Sequence, residues 1–206
     1  LDADRVHVVP HGVDSRFHPE PSMRDDIEPY VLYVGEYGPW KGYAEAFEVA
    51  ANLRAAGLPH RLKVVGQLAP WVRPVVDELL ATSAAPDRID LLGYLAQDGL
   101  ARVYQGASAL VMTSRCEAFG LPLVEGMASG IPVVAFANTA IPEVVGDGGV
   151  IVPDGDVSAM TEEIVAVLGN PARWQALSDG GRRRALAFDW RRSAEDHLRL
   201  YLEVAA

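Results

Sequence analysis

Two glutamates with seven residues between them, Glu117 and Glu125, sit in the segment Ser114-Arg115-Cys116-Glu117-Ala118-Phe119-Gly120-Leu121-Pro122-Leu123-Val124-Glu125. Pro122 suits the first turn of a helix. The amides of Phe119, Gly120 and Leu121 are therefore expected to point outward at the positive end of a helix dipole, where an anion is stabilised. Glu117 then falls in the loop before the helix and Glu125 in its first turn, so both carboxylates can accept hydrogen bonds from sugar hydroxyls across one crevice. The plain alternative is that Glu125 only complements the dipole. A second candidate is Gly35-Glu36-Tyr37-Gly38-Pro39-Trp40-Lys41-Gly42. Its one cation, Lys41, stands at a helix start and can meet a phosphate together with the amides of the turn. The segment is neither G-x-G-x-x-G nor G-x-x-x-x-G-K-[ST], which removes the dinucleotide and P-loop readings. Its plain alternative is a glycine-rich turn with a solvated lysine.

Other residues point elsewhere. Asp154-Gly155-Asp156 has the form D-x-D, a metal- and nucleotide-binding pattern, but Pro153 to Gly155 reads as a turn and Asp156 as the N-cap of the next helix. Cys116 has no histidine near it in sequence and reads as a small loop residue rather than a nucleophile. His11 belongs to a turn that Gly12 closes, and the other histidines lack metal-ligand spacing, so no metal is expected.

The elements that must position these residues alternate along the chain. Tyr30 to Gly35 is a short apolar run, after which Tyr43, Phe47, Ala50 and Leu53 recur at helical spacing. The unit repeats: Leu62–Gly66 with Val72–Ala81, Ile89–Gly93 with Leu95–Tyr104, and Ala109–Thr113 with Leu121–Ser129. Pro132–Ala137 is followed by a loop, a short strand at Val150–Val152 and a helix near Val157–Leu168. Strands so continuously apolar are buried on both faces, which predicts an α/β fold: a doubly wound parallel sheet with helices on both faces. Ligands in such a sheet bind at the carboxyl ends of the strands, where both candidate loops fall. After residue 170 the alternation stops. Pro171 starts a helix that Gly180-Gly181 is expected to interrupt, and Asp189 caps a last helix with Ala194, Leu198, Tyr201 and Leu202 in one apolar stripe.

Composition bounds the partners. The 206 residues are 50% hydrophobic and 22% charged, ordinary for a globular chain that can bury a core. One cysteine excludes an internal disulfide and fits a reducing compartment, hence the cytoplasm. The longest apolar runs fall well short of the ~20 residues that span a bilayer. A net charge of −10 repels a polyanion, so nucleic acid is not expected. Residues 171–206 hold seven Arg against five acids, leaving 11 basic and 23 acidic side chains, or −12, in the rest. A bound anion must therefore be held locally. The run Arg182-Arg183-Arg184 with Arg191 and Arg192 reads either as a solvated face or as a peripheral contact for anionic lipid at the inner face of a membrane. Beginning with Leu1, and with Val6–Val9 strand-like, the sequence reads as a piece of something longer.

The pair Glu117 and Glu125, set in Glu117-Ala118-Phe119-Gly120-Leu121-Pro122-Leu123-Val124-Glu125-Gly126-Met127-Ala128-Ser129-Gly130-Ile131-Pro132-Val133-Val134-Ala135, resembles the signature of the retaining glycosyltransferases of the GT-B fold, the group 1 family, also called family 4. Pro10-His11-Gly12-Val13-Asp14 resembles the family's P-N-G-V-D, Lys41-Gly42 its K-G, Ile141-Pro142-Glu143-Val144-Val145-Gly146 its P-E-V-V-G, and Phe188-Asp189-Trp190 its F-S-W. These ordered matches cover nearly the whole chain.

The resemblance implies one Rossmann-like, donor-binding domain over residues 1–206, the C-terminal half of a GT-B enzyme. Residues 1–14 would be linker and first strand, 15–170 the core, and 171–206 helices packing toward a missing N-terminal, acceptor-binding domain. It implies transfer of a sugar from a nucleoside diphosphate sugar with retained configuration and no metal or other cofactor. This piece alone would bind donor without transferring it. Glu117 would be the catalytic carboxylate and hold hydroxyls of the donor sugar, while Glu125 would hold those of the ribose. The amides of Phe119, Gly120 and Leu121 would contact sugar and phosphate. Lys41, beside the Gly35 turn, would take the diphosphate, and Leu92-Gly93-Tyr94 the base. One departure stands out: where many members carry an arginine after the first glycine or before the lysine, this chain has Glu36 and Trp40. Either Glu36 turns away, another cation such as Arg115 substitutes, or the donor site is weak. Two rival readings remain open, a degenerate domain with a structural role and a sugar-nucleotide epimerase.

Overall fold

In the computed structural model, which describes residues 6–24 and 27–205, the alternation becomes six strands: β1 (Tyr30–Val34), β2 (Arg61–Val65), β3 (Ile89–Gly93), β4 (Ala109–Met112), β5 (Val133–Phe136) and β6 (Val150–Val152). They lie in the order β3-β2-β1-β4-β5-β6 and every neighbouring pair is parallel. Between and after them come α1 (Tyr43–Ala55), α2 (Arg73–Thr82), α3 (Gln97–Gln105), α4 (Leu121–Ala128), α5 (Ile141–Val145), α6 (Val157–Leu168), α7 (Pro171–Ala185) and α8 (Trp190–Ala205). Successive strand side chains point to opposite faces. Leu32, Leu110, Met112, Val133 and Ala135 build one apolar layer, with residues of α3, α4, α5 and α7. Val31, Tyr33, Val111, Val134 and Phe136 build the other, with α1 and α6. Because both faces are covered, β1, β4, β5 and β6 are continuously apolar, as the sequence showed, while β2 and β3 toward one edge carry Arg61, Lys63 and Asp90.

The order of connection reverses between β1 and β4. The chain winds from β1 outward to β3 and then returns to start β4 on the other side of β1. Loops leaving β1 and β4 therefore depart to opposite faces and leave a crevice at the carboxyl end of the sheet.

Several expectations change. The predicted strand at Val6–Val9 is irregular, and Val6 and Val8 are exposed. Residues 1–5 of the expected linker lie outside the described residues. The expected loop after β5 contains the short helix α5, started by Pro142 in its first turn. Gly180-Gly181 does not interrupt α7. A Cβ on Gly181 would stand 3.0 Å from the carbonyl oxygen of Gly148 and 3.2 Å from Met127 Cγ, so the glycine serves close packing of α7 on its neighbours. The stripe on α8 forms but faces solvent: Leu198, Tyr201 and Leu202 are all exposed. Among the described residues no helix is long and apolar enough to cross a membrane.

Candidate functional site

The loops after β1 and β4, the two singled out in the sequence, flank the crevice at the reversal point. They are pressed together backbone to backbone. Gly42 is left-handed (φ 70), and a Cβ there would meet Thr113 O at 2.1 Å, so only glycine fits on both counts. Thr113 Oγ1 donates to Gly42 O at 2.7 Å, the Arg115 amide donates to Trp40 O at 2.7 Å, and the buried Tyr33 hydroxyl donates to Lys41 O at 2.6 Å. This clamp brings the two predicted charges into contact: Lys41 Nζ lies 2.7 Å from Glu117 Oε1, with the side chains only 23% and 12% exposed.

Gly120 caps α4 in the left-handed region (φ 92), with Pro122 in the first turn. Its geometry turns the amides of Phe119, Gly120 and Leu121 out of the helix, and no described residue accepts from them. One turn into α4, Glu125 Oε2 accepts from the Tyr104 hydroxyl at 2.8 Å. Burial raises the Glu125 pKa above its usual 4.5; the Tyr104 hydrogen bond opposes the rise and the charge of Asp14 adds to it. Tyr104 is fully buried, which drives its own hydroxyl well above the ordinary tyrosine range.

The remaining predicted positions lie along the same edge. Gly35 donates to Val65 O at 2.9 Å and accepts from the Tyr43 hydroxyl at 2.8 Å. Gly93 is left-handed (φ 69) and accepts from the Gly66 amide at 3.0 Å, with Leu92 and Tyr94 exposed beside it. Phe119 turns its ring toward His11 and Phe188, with edge-to-face centroid distances of 5.0 and 5.5 Å. Glu36 lines a pocket of about 240 Å³ with Tyr37, Gln67 and Trp71 on the β2 side, and no described cation pairs with it. Arg115, considered as a replacement cation, is held by Glu45 at 2.5 Å. Asp156 caps α6, accepting from the Ala159 amide at 2.9 Å, and Asp154 accepts from Asn138, so Asp154 and Asp156 have structural partners. A larger cavity of about 520 Å³, lined by Val13, Phe17, Ala128 and Leu186, adjoins the C-terminal end of α4 and contains none of these groups.

Sequence reasoning missed the residues that support the site. Tyr104 read only as the last apolar position of a helix. Asn138 and Thr139, in the loop after β5, carry no pattern, yet Thr139 Oγ1 accepts from the Glu117 amide at 3.0 Å. Their position at the carboxyl end of a strand was the one available signal.

The family model described as "Glycosyl transferases group 1" matches residues 14–184. An MMP alpha-(1->4)-mannosyltransferase of Mycolicibacterium hassiacum is 32% identical over 212 residues, covering 100% of this chain and 50% of that protein. Sucrose-phosphate synthase from Thermosynechococcus elongatus superposes with a TM-score of 0.84 at 30% identity, over 96% of this chain and 52% of that one. An Anabaena protein, HepE, solved in complex with UDP and glucose, shares the fold with a TM-score of 0.87 at 20% identity, over 98% of this chain and 58% of that one. The chain spans about half the length of the curated relatives it matches.

Proposed function

Because the chain belongs to the group 1 glycosyltransferases, we propose that it is the donor-binding, C-terminal half of an enzyme that moves a sugar from a nucleoside diphosphate sugar to an acceptor with retained configuration, without a metal. The observation that carries this reading is the Lys41–Glu117 pair beside the unbonded amides of Phe119, Gly120 and Leu121, at the reversal point of a parallel sheet. The Anabaena neighbour's complex with UDP and glucose supports it.

In this reading the diphosphate takes Lys41 and the start of α4, and Lys41 turns from Glu117 toward phosphate as donor enters. The freed Glu117 carboxylate accepts hydroxyls of the donor sugar, and Glu125 accepts those of the ribose. Base rests on the backbone of Leu92-Gly93-Tyr94. As the anomeric carbon–oxygen bond breaks, negative charge grows on the leaving diphosphate, where the ammonium and the fixed amide dipoles stabilise it more than they stabilise the bound donor. In this reading α7 packs on the donor core and the exposed stripe of α8 faces an N-terminal, acceptor-binding half, so this chain by itself binds donor without transferring it. Glu36, turned to the β2 side, need not oppose the diphosphate.

Calorimetric titration with UDP, GDP and ADP tests the proposal. The wild type should bind at least one, and Glu125→Ala should weaken that binding by about tenfold or more, the loss of hydrogen bonds to a charged acceptor. No binding by any of them would favour a domain with a structural role.

A further inference from the structure

Among the described residues, Thr139 is the one non-glycine with a left-handed backbone, at φ 43 in the loop between β5 and α5. A β-branched side chain is poorly suited to that region, because its γ atoms crowd the flanking peptide groups. Strain of this kind persists only where the surroundings hold it in place. The turn itself does not demand threonine: it is closed by the Ile141 amide donating to Asn138 O at 3.0 Å, and a glycine would satisfy it.

What threonine adds is its hydroxyl. Oγ1 accepts from the Glu117 amide at 3.0 Å and donates to Asn138 Oδ1 at 3.3 Å. Asn138 Nδ2 in turn donates to Ser114 O and to Asp154 Oδ1, both at 2.9 Å. Loops after β4, β5 and β6 are thus tied to one another, and the tie ends on the backbone of the residue whose carboxylate meets Lys41. The segment from Ser114 to Glu117 has no regular secondary structure of its own to hold it. We infer that Thr139 is a positioning residue: its hydroxyl, kept in a strained backbone, fixes the Glu117 peptide and so aims the carboxylate at the donor sugar. This rests on the donor-site reading of Glu117.

The test compares Thr139→Gly and Thr139→Ser with wild type, using whichever of UDP, GDP and ADP the wild type binds, each beside its sugar-bearing counterpart UDP-glucose, GDP-mannose or ADP-glucose. Thr139→Gly removes strain and hydroxyl together. It should melt at the same or a higher temperature, bind the bare nucleotide as wild type does, and bind the nucleotide sugar about fivefold more weakly, the range for one lost hydrogen bond. Amide hydrogen exchange at Glu117 should speed up. Thr139→Ser keeps the hydroxyl and should keep the sugar affinity. Unchanged sugar affinity in Thr139→Gly, an equal loss for nucleotide and nucleotide sugar, or an equal loss in Thr139→Ser would overturn the inference. A wild type that binds no nucleotide overturns the donor-site reading and takes this inference with it.

Discussion

Tyr104 and Glu125 form a hydrogen-bonded unit at the base of the crevice, with oxygens 2.8 Å apart. Burial raises the carboxyl's pKa, and the tyrosine hydroxyl restrains that rise. A carboxyl whose folded-state pKa exceeds its unfolded value holds its proton more tightly when folded. Its contribution to stability is therefore present at low pH and lost as pH rises through the raised value. If Glu125 holds the ribose as proposed, ligand binding has the opposite dependence, since the ionised carboxylate accepts hydroxyl hydrogen bonds more strongly than the protonated acid. Nucleotide affinity should fall on acidification at a pH above 4.5. In Tyr104→Phe, with the restraining bond removed, that fall should begin at a higher pH, and the protein should lose about 1–2 kcal/mol of stability. Titrations across pH with both proteins check this; identical profiles would show that the tyrosine does not tune the carboxylate. Glu117 and Lys41 were legible in the sequence as charged residues in strand-end loops. That they pair with each other was not, because residues so far apart in the chain meet only when their strands become neighbours.

At the scale of elements, the loop after β1 and the start of α1 are locked to β4 through Gly42. Its left-handed backbone and the 2.1 Å approach of a Cβ to Thr113 O leave no room for a side chain. Gly42→Ala should cost about 2–4 kcal/mol, combining backbone strain with the forced separation of the two loops. It should weaken nucleotide binding as well, since Lys41 and Glu117 would be carried apart. Thermal denaturation and titration together check it, and a stability loss with unchanged affinity would show the clamp to be purely structural. Strands and most helices were legible from apolar periodicity. The short helix α5 was not, because five residues are too few to display a period. Gly180-Gly181 misled for a related reason: helix propensity disfavours glycine, but the close contact of Gly181 with Gly148 and Met127 outweighs it.

For the whole molecule, the net charge of −10 sets the field that an incoming nucleotide meets. In the proposed donor reading, a trianionic nucleoside diphosphate approaches against this overall repulsion and meets local attraction at Lys41 and the α4 amides. Added salt should therefore raise its association rate, by about two- to threefold as the screening length shortens. Stopped-flow binding at several salt concentrations measures this, and a steep decrease would mean that local cations dominate the approach. Exposed Leu198, Tyr201 and Leu202 on α8 form an apolar stripe, and the chain spans about half of its matched relatives. The amino-acid sequence by itself determined the class of fold, the loops to search and the family, because these depend on local periodicity and on motifs contiguous in the chain. Only the tertiary structure decided that Lys41 meets Glu117, that Tyr104 holds Glu125, that Glu36 faces the β2 side, and that Thr139 reaches the Glu117 backbone. Each of those depends on strand order and on close backbone approach, which are set by packing the sheet as a whole.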